Sequence, residues 1–139
     1  MDRRRDAGVV TPVEMMYLLV FVVVATACIG FLGRLHAASV EVNGVAQAAA
    51  RAASMESTSQ AGTAAAQRTV AASALAARCA SAPTAEIAWT PSPRGTWHGG
   101  AVRVQVRCTV TNASLAGGLL PGVRTISGTD SQPIDRYQR

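Results

Sequence analysis

Met15-Met-Tyr-Leu-Leu-Val-Phe-Val-Val-Val-Ala-Thr-Ala-Cys-Ile-Gly-Phe-Leu-Gly33 contains no charged side chain. Glu14 closes the polar stretch before it and Arg34 opens the one after it. As a helix these residues span roughly 28 Å, close to the ~30 Å hydrocarbon core of a bilayer. A helix of that length on a soluble protein carries a polar face, and this one has none. The stretch reads as a transmembrane helix over residues 12–36, with the lipid bilayer as its first partner. Arg3, Arg4 and Arg5 precede it and only Arg34 follows closely, although Asp2 and Asp6 offset part of that charge. The excess of arginine places residues 1–11, a short basic leader, in the cytoplasm and everything after the span outside the cell membrane. The expected protein is single-pass, with the span acting as a signal-anchor.

Three patterns compete with a permanent anchor. Leu35-His36-Ala37 could end a secretory signal, but the apolar run exceeds the usual signal core. Ala25-Thr26-Ala27-Cys28 resembles a lipoprotein cleavage box, with Ala where Leu is usual and Cys28 deep in the span. Arg3-Arg4 begins like a twin-arginine signal, without the apolar residues that should follow. A small apolar residue facing lipid or a neighbouring helix accounts for Cys28 without any modification.

The sequence beyond Arg34 continues as a helix. Residues 37–78 contain no Pro and are dominated by Ala, the strongest helix former. Gly44 and Gly62 weaken the pattern, and a bend or short break is expected near Glu56–Gly62. Val40, Ala48 and Met55 recur near heptad spacing, with Val45, Ala49 and Ala52 close to the same face. The apolar face is therefore made of small residues. Such a face buries little area but lets another backbone come close. Packing against a sheet or other subunits follows, with a solvated spacer as the alternative.

Residues 79–139 read as a small β domain. Ala101-Val-Arg-Val-Gln-Val-Arg-Cys-Thr-Val-Thr111 alternates with period two, as a half-buried strand does. Glu86–Thr90 is a candidate partner, joined to it through Pro91, Pro93, Gly95 and Gly99-Gly100. Val123–Thr129 makes a third strand. The expected class is α+β: one long N-terminal helix, then about three antiparallel strands covered on one face. Cys79 and Cys108 both lie beyond the span, where disulfides persist, and their pairing would pin the helix end to the sheet. Two free buried thiols are the alternative.

Composition narrows the chemistry. Aromatic residues are only 4% of the 139 and the formal charge is +5, all of it from Arg. The arginines are scattered, whereas a nucleic-acid surface gathers them into a stripe, so no nucleic-acid partner is expected. His36 and His98 have no Cys or carboxylate at ligand spacing, so neither a metal nor another cofactor is implied. No phosphate loop or catalytic triad signature appears, and the chain is not expected to be an enzyme. Trp89 and Trp97 suit either a binding surface or sheet packing. Asn112-Ala113-Ser114 matches a glycosylation sequon, a pattern that also arises by chance.

Glu14 supports two accounts. Thr11-Pro12-Val13-Glu14 is a capping box: Thr11 caps, Pro12 takes the first helical position, and Glu14 reaches back to free amides. The second account is a resemblance. The stretch from Gly8 through Glu14, the apolar run to Phe31-Leu-Gly-Arg34, and Val45-Ala-Gln-Ala-Ala-Ala-Arg-Ala-Ala53 together resemble type IV pilin-like subunits, and more closely the TadE/TadG-like proteins of tight-adherence pilus systems. The likeness covers roughly residues 3–55 and extends to the remainder only in architecture. It implies a minor pilin or pseudopilin-like component of pilus assembly. The partners it implies are other pilin-like subunits, the assembly machinery and a prepilin peptidase cutting between Gly8 and Val9. It also implies that Glu14 neutralises the N-terminal amine of a neighbouring subunit and so sets register. Cleavage after Gly8 makes Glu14 the sixth residue of the mature chain, whereas the family pattern has it fifth. The alternative function is a membrane-anchored extracytoplasmic binding domain unrelated to pili.

Overall fold

The computed structural model describes residues 12–116, 118 and 121–135. They fall into two compact units that divide between Gly33 and Arg34, and the architecture is α+β.

The first unit is the leading part of helix α1 (Pro12–Ser54). Pro12 opens the helix, where its missing N–H removes nothing. Glu14 stands in the first turn, where a carboxylate suits the positive end of the helix dipole. The side chains of Val13, Met15, Met16, Leu18, Leu19, Phe21 and Ile29 are all exposed. α1 is long and apolar enough to cross a membrane, and its most apolar stretch is not buried against protein. The Thr26 hydroxyl is internally satisfied, since its Oγ1 donates to the Val22 carbonyl at 2.8 Å. Hydrocarbon tolerates such a side chain because its donor already has a partner.

The second unit begins with residues 34–54 of α1 and continues through α2 (Ser59–Ala71), α3 (Leu75–Arg78), β1 (Thr84–Thr90), β2 (Ala101–Thr111), α4 (Asn112–Ala116) and β3 (Val123–Pro133). The strands form one antiparallel sheet in the order β1-β2-β3. Ile87 faces Val104, and Cys108 faces Ile126. The alternation in β2 does what period two requires: Val102, Val104, Val106, Cys108 and Val110 are buried, and Arg103 and Arg107 are exposed. The other side of this core is small and helical. Val42, Ala46, Ala49, Ala50 and Ala53 come from α1, and Ala65, Ala66 and Val70 from α2.

The Ala-rich stretch over 37–78 is divided among three helices, and its first break, at residues 55–58, overlaps the one expected near Glu56–Gly62. The break falls between Ser54 and Ser59, ahead of Gly62. Its cause is a cap: the Thr58 hydroxyl oxygen accepts a hydrogen bond from the Ala61 amide at 3.2 Å and starts a new helix. The buried face of α1 differs from the expected one. Val40 and Met55 are 57% and 64% exposed, while Val42, Ala46, Ala49, Ala50 and Ala53 face inward. When nearly every turn carries Ala, residue type cannot mark the inward side; closeness of approach does.

Two glycines measure that closeness. A Cβ on Gly62 would lie 2.8 Å from the Ala53 carbonyl oxygen of α1 and 2.8 Å from the Trp89 ring. A Cβ on Gly128 of β3 would lie 2.8 Å from the Asn43 amide nitrogen and 2.9 Å from its Cα. In both places the obstacle is backbone, which cannot swing aside. Gly44, by contrast, has nothing within 4 Å of the added atom.

A paired substitution tests this packing. Gly62→Ala should destabilise the second unit by ~1–3 kcal/mol through overpacking. Gly44→Ala should stabilise it by about 0.5–1 kcal/mol through helix propensity alone. Denaturant unfolding in mild detergent, followed by far-UV circular dichroism, measures both; a shift of the same sign would contradict the packing described.

Candidate functional site

Of the residues that the sequence marks for processing and register, Glu14 is the one described. Gly8, Val9 and Thr11 lie outside the described residues. Glu14 is in the first turn of α1, at the head of the exposed apolar surface. Cys28, on the same helix, is a free exposed thiol. The first unit therefore offers an apolar cylinder with a carboxylate at one end. That surface can meet lipid or other apolar helices.

The second unit is fastened where its helices end. Cys79, at the C-cap of α3, is bonded to Cys108 of β2 with Cα atoms 5.5 Å apart. Cys108 is on the buried face of the central strand, so the bond reaches the middle of the core. The adjoining backbone joins too, with the Ala80 amide donating to the Thr109 carbonyl at 2.6 Å. Closing a loop across 29 positions restricts the unfolded chain by about 3–4 kcal/mol on the chain-entropy account. Beside it, Arg78 Nη1 donates to Glu41 Oε2 at 2.8 Å, tying α3 back to α1. The arginine is 67% exposed, so the pair contributes at most about 1 kcal/mol. Its partners are 37 positions apart, a spacing that carries no sequence signal.

Trp89 and Trp97 are structural. Their rings lie 3.8 Å apart between centroids, tilted by 48°. Trp97 Nε1 donates to the Glu56 carbonyl at 3.2 Å, inside the break between α1 and α2. The pair thus joins the β1–β2 loop to the helical break, with Trp89 against Gly62. Aromatic type and loop position suggested both packing and binding; the contacts select packing.

A cavity of about 380 Å³ opens in the same loop, lined by Ser92, Pro93, Arg94, Thr96 and His98. The Ser92 and Thr96 hydroxyls bond each other at 2.8 Å. The Nδ1 atom of His98 is buried with no hydrogen-bond partner. The lining of this cavity is more polar than that of a second hollow beside Gln67, Val70 and Pro83. His36 belongs to α1, far in sequence from His98. Among the described residues no three His, Cys, Asp or Glu side chains group as a metal site. The sequon nitrogen is already engaged, since Asn112 Nδ2 donates to the Pro121 carbonyl at 3.1 Å.

The cysteine arrangement has a direct readout. Unreduced, unfolded protein should take up one alkyl group, at Cys28, and reduced protein three. Replacing Cys79 and Cys108 by Ala together should lower stability by about 3–4 kcal/mol. Mass spectrometry and denaturant titration check the two statements.

No family model, no curated protein and no solved structure matches the chain.

Proposed function

We propose that this protein is a structural component of a tight-adherence type pilus or a related secretion system, a minor pilin or pseudopilin-like subunit. It is anchored by α1, with its N-terminus in the cytoplasm and the disulfide-bonded unit outside the cell membrane. It acts by helix packing, not by catalysis. The observation that carries this reading is the character of α1. Its leading part is an apolar helix with no face buried in its own chain, and its later part packs through Ala. A helix that leaves so much apolar surface uncovered needs lipid, other helices, or both. The disulfide supports the outward placement, because such bonds persist in oxidising compartments.

A second reading is a membrane-anchored binding domain unrelated to pili. The hollow around His98 is the observation that favours it, with Arg94, Ser92 and Thr96 at its rim.

Cross-linking in native membranes, followed by purification of the full chain, separates the two. The assembly reading expects covalent adducts with pilin-like subunits or polytopic assembly proteins. Recovery of monomer alone would overturn it. Glu14→Gln sharpens the test. If Glu14 pairs with a neighbouring amine, adduct yield should fall at least tenfold with membrane insertion intact. If it only starts the helix, yield should stay within twofold. N-terminal sequencing of the extracted protein locates any cut between Gly8 and Val9.

A further inference from the structure

β3 is the longer of the two outer strands of the sheet, at 11 residues, and among the described residues no strand pairs with its far edge. An open edge of that length is a template for another chain unless something blunts it. The blunting devices are few: β3 carries no Lys, and its register with β2 runs unbroken from Val123 to Pro133.

The hydrogen bonding of β3 fixes which residues present that edge. At one end of the β2–β3 ladder the Asn112 amide donates to the Gly122 carbonyl, and at the other the Ile134 amide donates to the Gly100 carbonyl. With the unbroken register between them, the even-numbered residues of β3 point their amides and carbonyls at β2. The odd-numbered ones, Val123, Thr125, Ser127, Thr129 and Ser131, therefore point theirs outward. Pro133 also falls at an outward position and has no N–H to offer, so the ladder ends at Ser131.

This edge is complementary to itself. Two copies of β3 laid antiparallel about Ser127 place Ser127 opposite Ser127, Thr125 opposite Thr129, and Val123 opposite Ser131. All of these are outward positions, so each pair exchanges two backbone hydrogen bonds. The same register sets Arg124 opposite Asp130, twice, at non-hydrogen-bonded positions, where facing side chains come closest. Arg124 is exposed, and its side chain makes no hydrogen bond or ion pair within its own chain among the described residues. Asp130 accepts one bond, from Gln132 Nε2 at 2.7 Å, which leaves acceptor capacity on the carboxylate. A shift of two residues in one direction would need Pro133 to donate to Val123; in the other, it would set Arg124 against Gly128. Only the register about Ser127 pairs both charges and stops at the proline. The sheet already contains a Thr–Thr hydroxyl contact of the kind it would form, between Thr109 and Thr125 at 3.3 Å.

We propose that β3 is a self-association edge, pairing antiparallel about Ser127 with β3 of a second copy of this chain to form a six-stranded sheet with twofold symmetry. The inference does not rest on the pilus reading; it needs only the second unit as described.

The test uses full-length protein in mild detergent, with Cys28→Ser removing the free thiol. Ser127→Cys places two thiols opposite each other across the twofold, at a Cα separation of ~5.5 Å that a disulfide can span. Oxidation should give a linked dimer whose bond maps to position 127. Ser131→Cys is the control, because its two copies would lie about 27 Å apart, and it should stay unlinked. Arg124→Asp and Asp130→Arg should each lower the dimer fraction in sedimentation at least fivefold. The double exchange, which restores opposite charges across the pair, should recover it. Equal linking at 127 and 131, a monomer at all concentrations, or no recovery in the double exchange would each overturn the proposal. Unchanged circular dichroism in the charge variants shows that the protomer is intact.

Discussion

The buried face of β2 is what the rest of the second unit exists to cover. Five alternating side chains, Val102 to Val110, present one apolar stripe along the central strand. β1 and β3 take its two edges, and the helices must take its face. They do so mostly with Ala, beside Val42, Val70 and Leu75, and Ala covers little area per residue. Close approach substitutes for size. The backbone of α1 comes within contact of β3 at Gly128, and that of α2 comes within contact of α1 at Gly62. The cystine at Cys79–Cys108 belongs to the same economy. A core with few large side chains gains less from burial, and restricting the unfolded chain makes up part of the difference.

Much of this was legible from residue order, and the limits are instructive. β2 declares itself because five apolar side chains alternate with polar ones, and the strand occupies Ala101–Thr111 as read. The long apolar helix declares itself through the absence of charge. The pairing of Cys79 with Cys108 followed from compartment and position. What could not be read depends on contacts far apart in sequence. Thr58 is an ordinary threonine until the chain turns there, whereas Gly62 drew attention as a helix breaker and serves instead as a point of helix contact. The strand β3 runs on to Pro133 because it is paired with the full length of β2, although Asp130-Ser-Gln-Pro133 has little strand preference of its own. The inward side of α1 was hidden for a related reason: a uniform Ala surface has no visible face.

The functional residues divide in the same way. Glu14 and the apolar run are local features, and local chemistry marks them. The fastening of the second unit, Glu41 to Arg78 and Trp97 to Glu56, joins segments about forty positions apart and leaves no trace in spacing. An assembly role for the first unit and a self-pairing edge on the second are separate proposals, each resting on surface that one chain leaves uncovered. They differ in physics. The helix offers apolar area without direction, while the strand edge offers hydrogen bonds with a register.

The tryptophan corner has a spectroscopic meaning. Trp89 and Trp97 are the only two tryptophans in the chain, and both sit where the β1–β2 loop meets the break between α1 and α2. The indole emission of the whole protein therefore originates in one small region and carries no signal from the apolar part of α1. Far-UV ellipticity, in contrast, is dominated by the helices. If the corner opens before the valine face is exposed, the two signals will change at different denaturant concentrations. The protein thus contains a built-in optical probe for the one joint that links its loop to its helices.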